Sequence, residues 1–138
     1  MKVMADNFNF ELVSPERLLL SASATEVVLP GTDGEMTVMA HHAPTMTTIK
    51  PGVVSVVTAE GATERYVVFG GFADILPDGC TLLAESAVAV GDIDRDDLAQ
   101  RLQDAREDVA DASSDAAKQK AQDYLDHLTT LNEAIVSA

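Results

Sequence analysis

Apolar and polar residues alternate with the period of a β-strand over most of the first 90 residues. Phe8, Phe10 and Leu12, for example, alternate with Asn9 and Glu11, which is typical of a half-buried strand. The same kind of pattern predicts further strands at residues 18–21, 24–29, 35–40, 45–49, 53–58, 63–69 and 72–76, and a last strand or pair of strands within 81–90. Short strands at close spacing favour an antiparallel sandwich or flattened barrel.

Proline and glycine indicate where these strands end. Turns or breaks are expected at residues 30–34, 50–52, 60–61, 70–71 and 77–79. The loop at residues 41–44 is expected to be rigid, since Pro44 fixes its own φ and pushes Ala43 toward extended geometry. Residues 34–52 therefore predict a strand, a rigid loop, a second strand and a turn, which suits the presentation of a binding surface.

The period changes to that of an α-helix after Asp92. Two apolar stripes step by three and four residues, the first through Leu98, Leu102, Ala105, Val109 and Ala112, the second through Ala117, Ala121, Tyr124, Leu128, Leu131 and Ile135. Asp94 is expected to cap the first helix and Ser113 or Ser114 the second. The predicted fold is an N-terminal all-β sandwich or flattened barrel, residues 1–91, followed by a C-terminal antiparallel two-helix hairpin, residues 92–138.

Charge narrows the range of partners. The chain of 138 residues has a formal net charge of −14; residues 1–91 hold 11 acidic and 4 basic side chains, and residues 92–138 hold 12 and 5. Neither half is suited to nucleic acid or to an anionic membrane surface, so we expect no nucleic acid partner and favour a cationic protein partner. No apolar run is long enough to span a bilayer, and we expect no direct membrane insertion.

Cysteine use and the N-terminus indicate the compartment. Cys80 is the one cysteine, so the chain has no intramolecular disulfide. The first twelve residues lack the apolar segment of a signal peptide. Both features favour a reducing cytoplasm.

The candidate chemistry does not assemble into a catalytic site. His41 and His42 are neighbours in the chain and are expected to point in different directions, and His127 lies in the helical region. The sequence has no G-x-S-x-G nucleophile elbow and no G-x-x-x-x-G-K-[ST] phosphate loop. We therefore predict no catalytic residue, no metal site and no cofactor, and interpret the chain as an interaction protein.

Several short motifs resemble, in the correct order, those of the epsilon subunit of bacterial F-type ATP synthases. The GELG–GHAP–IKPG signature of that family is matched by Gly34-Glu35, His42-Ala43-Pro44 and Ile49-Lys50-Pro51-Gly52, and later family motifs by residues 70–75 and 81–84. His41 stands where the family usually has glycine. The resemblance covers nearly the whole chain.

The resemblance implies a non-catalytic rotor subunit of the central stalk, on the cytoplasmic face of the bacterial inner membrane as a peripheral protein. It implies that the sandwich contacts the gamma subunit and the ring of c subunits, and that the subunit helps to couple proton flow to ATP synthesis. Glu35 is the best match to a family contact residue, and His42, Pro44 and Lys50 of the same signature are assigned to the c-ring and gamma interface. The resemblance also allows a transient contact with the alpha/beta head.

Two departures from the family concern the helical region. Some members bind ATP through an I/L-D-x-x-R-A motif, but here Asp97 and Leu98 stand at the Arg and Ala positions, so no ATP site is expected. In other members the helices use basic residues against an acidic segment of the beta subunit, whereas this chain has no Lys or Arg after Lys120. The hairpin is therefore expected to inhibit ATP hydrolysis weakly or not at all.

Two other classes of protein remain open on the residues alone. A free-standing β-sandwich that binds a small molecule or sugar would account for the strands but not for the hairpin or the ordered motifs. A small metal enzyme would need histidines in a geometry that His41 and His42 do not offer.

Overall fold

The computed structural model describes residues 7–136. The chain divides between Ala89 and Val90 into two compact units, a β unit and a helical unit. The predicted domain limits at residues 1 and 138 lie outside the described residues.

The β unit is a sheet closed on itself, as predicted. Its strands are β1 (Phe8–Ser14), β2 (Arg17–Gly31), β3 (Gly34–Val38), β4 (Thr45–Thr58), β5 (Thr63–Leu76), β6 (Gly79–Ala84) and β7 (Ala87–Ala89). Neighbours follow the order β1-β6-β5-β4-β2, and β1 also pairs with β2, which closes the ring. β3 extends the sheet beside β2, and β7 pairs with β5. Only β1 and β6 run parallel.

Alternation places one side of each strand in a shared core. In β1, Phe8, Phe10 and Leu12 are buried while Asn9 and Glu11 are exposed. The largest side chains that are completely enclosed in the β unit are aliphatic apart from Phe10: Leu12, Leu29, Ile75, Leu82, Val27, Val38, Val54, Val56 and Val67. β-branched and leucine side chains therefore fill a core from which tryptophan is absent.

The prediction of two separate strands at residues 18–21 and 24–29 is wrong, because β2 runs unbroken over 15 residues. Its first half pairs with β1 and its second half with β4. The pairing with β4 is irregular between Ala24 and Glu26, so the strand bends from one partner to the next without a turn.

The prediction of a turn at residues 50–52 is also wrong. β4 continues through Pro51, which lies opposite Phe69 of β5. On its other side the register of β4 with β2 shifts between Val28 and Gly31, so the position of Pro51 falls within an irregularity of that ladder. A strand tolerates proline at such a point, because its missing N–H removes no regular hydrogen bond.

Gly70 and Gly71 lie within a continuous strand where the sequence predicted an interruption. β5 continues through both residues, with φ values of 110° and 139°. A Cβ on Gly71 would collide with the backbone oxygen of Leu83 in β6. The glycine pair therefore permits a close approach of two backbones.

The helical unit contains the two predicted helices, α1 (Arg95–Asp111) and α2 (Asp115–Val136), preceded by a short 3₁₀ turn at Val90–Asp92. Asp94 caps α1 by accepting hydrogen bonds from the N–H groups of Asp96 and Asp97, and Ser114 Oγ accepts from Ala117 N at the start of α2. The helices contact each other and are joined by three residues, so they form an antiparallel hairpin.

Burial in the hairpin is confined to one end. The buried residues of the two helices are Leu98, Leu102, Ala105, Leu128, Leu131 and Ile135. Among residues 106–127 none is buried, and Ala117, which the apolar stripe predicted to face inward, is exposed. The end of the hairpin near residues 112–114 is therefore held without a buried core.

Candidate partner-binding surface

The loop after β3, which Pro44 was expected to make rigid, contains an uncommon backbone conformation and two hydrogen bonds. His41 has a φ of 67°, in the left-handed region that glycine occupies more readily. Its backbone N–H donates to Pro77 O at 2.8 Å, which ties the loop to the turn between β5 and β6. Thr45 Oγ1 donates to Ala43 O at 3.0 Å and fixes the exit of the loop.

The four residues assigned to an interface do not form one cluster of contacts. Glu35 is exposed near the start of β3, and His42 and Pro44 lie on the loop beyond its end. His42 Nδ1 lies 2.7 Å from Ala43 O, and because a carbonyl oxygen only accepts, this nitrogen carries the proton. Lys50 is half-buried further along β4. Within the described residues, no hydrogen bond or ion pair joins any two of these four side chains.

The structure shows a second surface that the sequence analysis missed. Cross-strand partners share one face of a sheet, so the register defines a row of outward side chains across five strands. Phe72 of β5 lies between Thr48 of β4 and Leu83 of β6, and Leu83 lies opposite Val13 of β1. Val13 in turn is paired with Leu18 of β2. We call the surface built on this row the apolar face.

The large apolar side chains of the apolar face are exposed to solvent. Leu18 is 52% exposed, Phe72 42% and Leu83 38%, and Met46, two residues along β4 from Thr48, is 69% exposed. Large apolar side chains that are contiguous and open to solvent mark an interaction site more often than scattered ones do.

Two open grooves flank the ring of Phe72. One, of about 500 Å³, is lined by Val13, Ser14, Pro15, Gly71, Phe72, Leu83, Ala84 and Glu85. The other, of about 350 Å³, is lined by Met46, Thr47, Thr48, Gly71 and Phe72. Both are mostly apolar and wide open, a form that suits side chains of a protein partner better than an enclosed small molecule.

A polar row borders the apolar face on one side. Asp74 of β5 lies between Met46 of β4 and Thr81 of β6, and Thr81 lies opposite Glu11 of β1. These residues stand two positions, about 7 Å, from the apolar row along their strands. Glu85 borders the larger groove at its other end.

The signal for the apolar face was present in the sequence as apolar residues on both sides of one strand. Leu82 and Leu83 are consecutive, so one of them must point outward, and Leu76 follows Ile75 in the same way. The assembly of the outward apolar residues of several strands into one face depends on the parallel pairing of β1 with β6. Strand patterns alone do not predict this pairing.

Cys80 is enclosed beneath this sheet. Burial, and secondarily the carboxylate of Asp74, raise the pKa of its thiol to about 12. A thiol that stays protonated is a poor nucleophile and a poor metal ligand, so its role is packing.

Residues 7–136 contain no group of three or more His, Cys, Asp or Glu side chains placed to hold a metal ion. No helix in the same part of the chain has the length and apolar composition needed to cross a membrane.

Comparison with known proteins identifies relatives over nearly the whole chain. Residues 7–90 match the model of the ATP synthase delta/epsilon chain, β-sandwich domain. The ATP synthase epsilon chain of Mesorhizobium japonicum is 69% identical over 135 residues, which cover 98% of this chain and 100% of the relative. The epsilon chain of Sinorhizobium fredii is 64% identical over 135 residues, with the same coverage of both chains.

Two solved structures share the fold. A chain in the cryo-EM structure of the Euglena gracilis mitochondrial ATP synthase, OSCP/F1/c-ring, aligns with a TM-score of 0.74 and 24% identity over 98% of this chain and 84% of that one. A chain of the Tetrahymena thermophila mitochondrial ATP synthase central stalk and c-ring aligns with a TM-score of 0.69 and 11% identity, covering 94% and 99%.

Proposed function

The chain belongs to the family of ATP synthase epsilon chains, and we propose that it is a non-catalytic subunit of the central stalk that joins the gamma subunit to the c-ring. In this role it supports the coupling of proton flow to ATP synthesis as a peripheral protein on the cytoplasmic face of the inner membrane. The relatives and the fold support this role together, because the two solved structures with the same fold come from ATP synthase assemblies that include a c-ring.

The apolar face is the observation that carries the proposal. A partner that covers Phe72, Leu83 and Leu18 removes apolar area from water at about 25 cal/mol per Å². Since a central aromatic side chain beside a groove is the usual anchor of a protein interface, we assign this face to the gamma subunit.

The β3 strand and the loop after it are assigned to the c-ring. Glu35 and Pro44 are exposed and His42 is half-buried with its Nε2 free of the bond that engages Nδ1. Lys50 lies on the same strand as Met46 and Thr48 and therefore belongs to the margin of the apolar face. Residues 1–91 thus supply both contacts, and the hairpin of residues 92–138 supplies neither.

The hairpin is assigned no ATP site and little inhibitory action on ATP hydrolysis. Asp97 occupies the position at which ATP-binding relatives carry arginine, and its carboxylate pairs with Arg101 Nε at 3.3 Å. Beyond Lys120, α2 carries Asp123, Asp126 and Glu133 and no Lys or Arg, which opposes entry beside an acidic segment of the alpha/beta head.

Association of the full-length protein with an alpha/beta/gamma complex of the same organism tests the proposal. Phe72→Asp should weaken binding by at least about 30-fold, the effect of losing an interface anchor worth about 2 kcal/mol. Thr63→Asp, an exposed position on the same strand but outside the face, is the matched control and should bind like the unmodified protein.

Circular dichroism and urea unfolding would establish that both variants are folded. Equal affinity of Phe72→Asp and the unmodified protein would remove the apolar face from the interface. Failure of the unmodified protein to associate at all would favour the free-standing binding module.

A further inference from the structure

We propose that the gamma surface that covers the apolar face presents lysine or arginine to three carboxylates at its margins, and that Glu11, Asp74 and Glu85 thereby select the partner. The inference rests on the proposed function and adds the chemistry that the partner must have. It follows from the position of these carboxylates and from the absence of ion pairs for them within the described residues.

Asp74 and Glu11 lie in the polar row beside the apolar row, on the same outward face. Asp74 is the direct neighbour of Phe72 on that face of β5, and Glu11 is the neighbour of Val13 on β1. The Cα atom of each lies about 7 Å from the Cα atom of its apolar neighbour. A partner that encloses Phe72 therefore reaches Asp74 as well.

Glu85 marks the opposite margin. Its backbone N–H donates to Gly70 O at 3.0 Å, and its Oε2 lies 3.4 Å from the point that a Cβ on Gly70 would occupy. The carboxylate thus lies close to Gly70 of β5, at the edge of the larger groove. A side chain of the partner that enters this groove passes Glu85.

None of the three carboxylates has a hydrogen-bonded or ion-paired partner among residues 7–136. Taking a carboxylate out of water without a partner is strongly unfavourable. A partner with an apolar or acidic margin would leave all three carboxylates desolvated and unpaired. A partner with cations would offset the desolvation through charge-assisted hydrogen bonds.

Lys50 is the one base at this margin within the described strands β4 to β6, apart from Arg65 at their far end. Ile49 and Pro51 pair with Gly71 and Phe69, so Lys50 lies across from Gly70. It forms no ion pair with Glu85 within 4.0 Å. Arg17 adjoins Leu18 at the start of β2, and Glu16 precedes it, so two bases stand near four carboxylates and the margin of the face stays negative.

The experiment compares two triple variants that remove the same charge from different places. The face variant is Glu11→Gln, Asp74→Asn and Glu85→Gln, and the control variant is Asp33→Asn, Glu60→Gln and Glu64→Gln, all within the β unit. Affinity for the alpha/beta/gamma complex is measured for full-length proteins between 0.05 and 0.5 M salt, with folding checked by urea unfolding. The three single variants of the face are measured as well.

The face variant should bind about tenfold or more weakly at low salt and lose most of its salt dependence, while the control variant stays within about twofold. Binding of the face variant within twofold, tighter binding, or an equal loss in both triple variants would each overturn the inference. Loss of binding by a Phe72→Ala variant in the same assay separates these outcomes from failure of the proposed function, since that change removes the apolar contact and leaves the charge of the face unaltered.

Discussion

Gly71 shows how much of the apolar face depends on one backbone position. It lines both grooves beside Phe72 and has a φ of 139°. A Cβ there would meet the oxygen of Leu83 and lie 2.9 Å from Ala84 Cα, so β5 and β6 approach each other only because the side chain is a hydrogen atom.

Gly71→Ala should therefore lower the free energy of unfolding by about 2–4 kcal/mol, through strain at positive φ and displacement of β6. Gly61→Ala is the matched control, because Gly61 also has a positive φ, of 88°, but open space around the added Cβ. It should cost about 1 kcal/mol. Urea unfolding of both variants measures the difference, and equal losses would show that crowding contributes nothing.

Because of the Cys80 thiol, the free energy of unfolding should fall at alkaline pH. Burial and the nearby Asp74 carboxylate raise the pKa of its thiol from 9.0 to about 12, so the folded protein keeps a proton that the unfolded chain releases. The contribution is complete below pH 9 and is lost as pH rises from 9 toward 12. Between pH 9 and 10.5 the unmodified protein should lose about 1–2 kcal/mol more of its free energy of unfolding than Cys80→Ala.

Urea unfolding at the two pH values measures this loss. The pKa of Tyr66 is also raised, by burial and by Glu64, but it titrates in both proteins and cancels in the comparison. Equal losses in the two proteins would show that the Cys80 thiol ionises freely in the folded state.

Glu35 tests the assignment of β3 to the c-ring. Its side chain is exposed, so Glu35→Lys should change the free energy of unfolding by no more than about 0.5 kcal/mol. Since the acidic chain is expected to have a cationic partner, reversal of this charge at the proposed c-ring contact should lower ATP-driven proton pumping in the assembled enzyme. Glu60→Lys, in the turn after β4, controls for net charge. Normal pumping with Glu35→Lys would remove this residue from the interface.

In the helical hairpin, the buried side chains are concentrated at one end of the two helices. Leu98 and Leu102 of α1 and Leu128 and Leu131 of α2 are buried, while residues 106–127 include half-buried side chains such as Tyr124 but no buried one. Near the connection the helices rely on the Ser114 cap and on side-chain pairs four residues apart, such as Gln119 with Asp123 at 2.8 Å. Such pairs contribute only about 0.2–0.5 kcal/mol each.

Amide hydrogen exchange should therefore be fastest, within the two helices, at residues 106–121 and slowest at 98–105 and 125–133. The comparison uses the full-length protein, so every amide is measured under the same conditions. Uniform protection along both helices would show that the end near residues 112–114 has support that burial does not reveal.

Strand identity could be predicted from alternation, but strand continuity could not. Phe8, Phe10 and Leu12 have one buried face and one solvated face, so the period of two was plain in the sequence. Proline and glycine suit both a turn and an irregular strand, so Pro51 and Gly71 do not by themselves distinguish the two structures. The pairing with neighbouring strands decides between them. The caps of the helices were predictable because Asp94 and Ser114 act on their own next turn.

At the scale of the whole molecule, the β unit has a complete core of its own. The buried core cluster lies entirely between Phe8 and Ala84. Removal of residues 92–138 should therefore leave a fragment that folds and binds the gamma subunit, as circular dichroism and the binding assay above would show. An unfolded fragment would contradict the proposed domain division.

In the assembled enzyme the same deletion should change ATP hydrolysis by less than about twofold, roughly 0.4 kcal/mol. The reason is that the second helix offers no cation beyond Lys120 to an acidic segment of the head. ATPase assays with and without membrane energisation measure the effect. A many-fold increase in hydrolysis would show that the hairpin is an effective inhibitor.

The closure of the β ring has a consequence for biosynthesis. β1 is completed only when it pairs in parallel with β6, and Asn9 finds its partner Gly79 about seventy residues later in the chain. Contacts of such long range slow folding, and during translation Phe10 and Leu12 must wait until β6 has left the ribosome. β1 can pair with β2 soon after both leave the ribosome, but its other edge stays unpaired until residues 79–84 emerge, so the ring closes only at the end of the synthesis of the β unit.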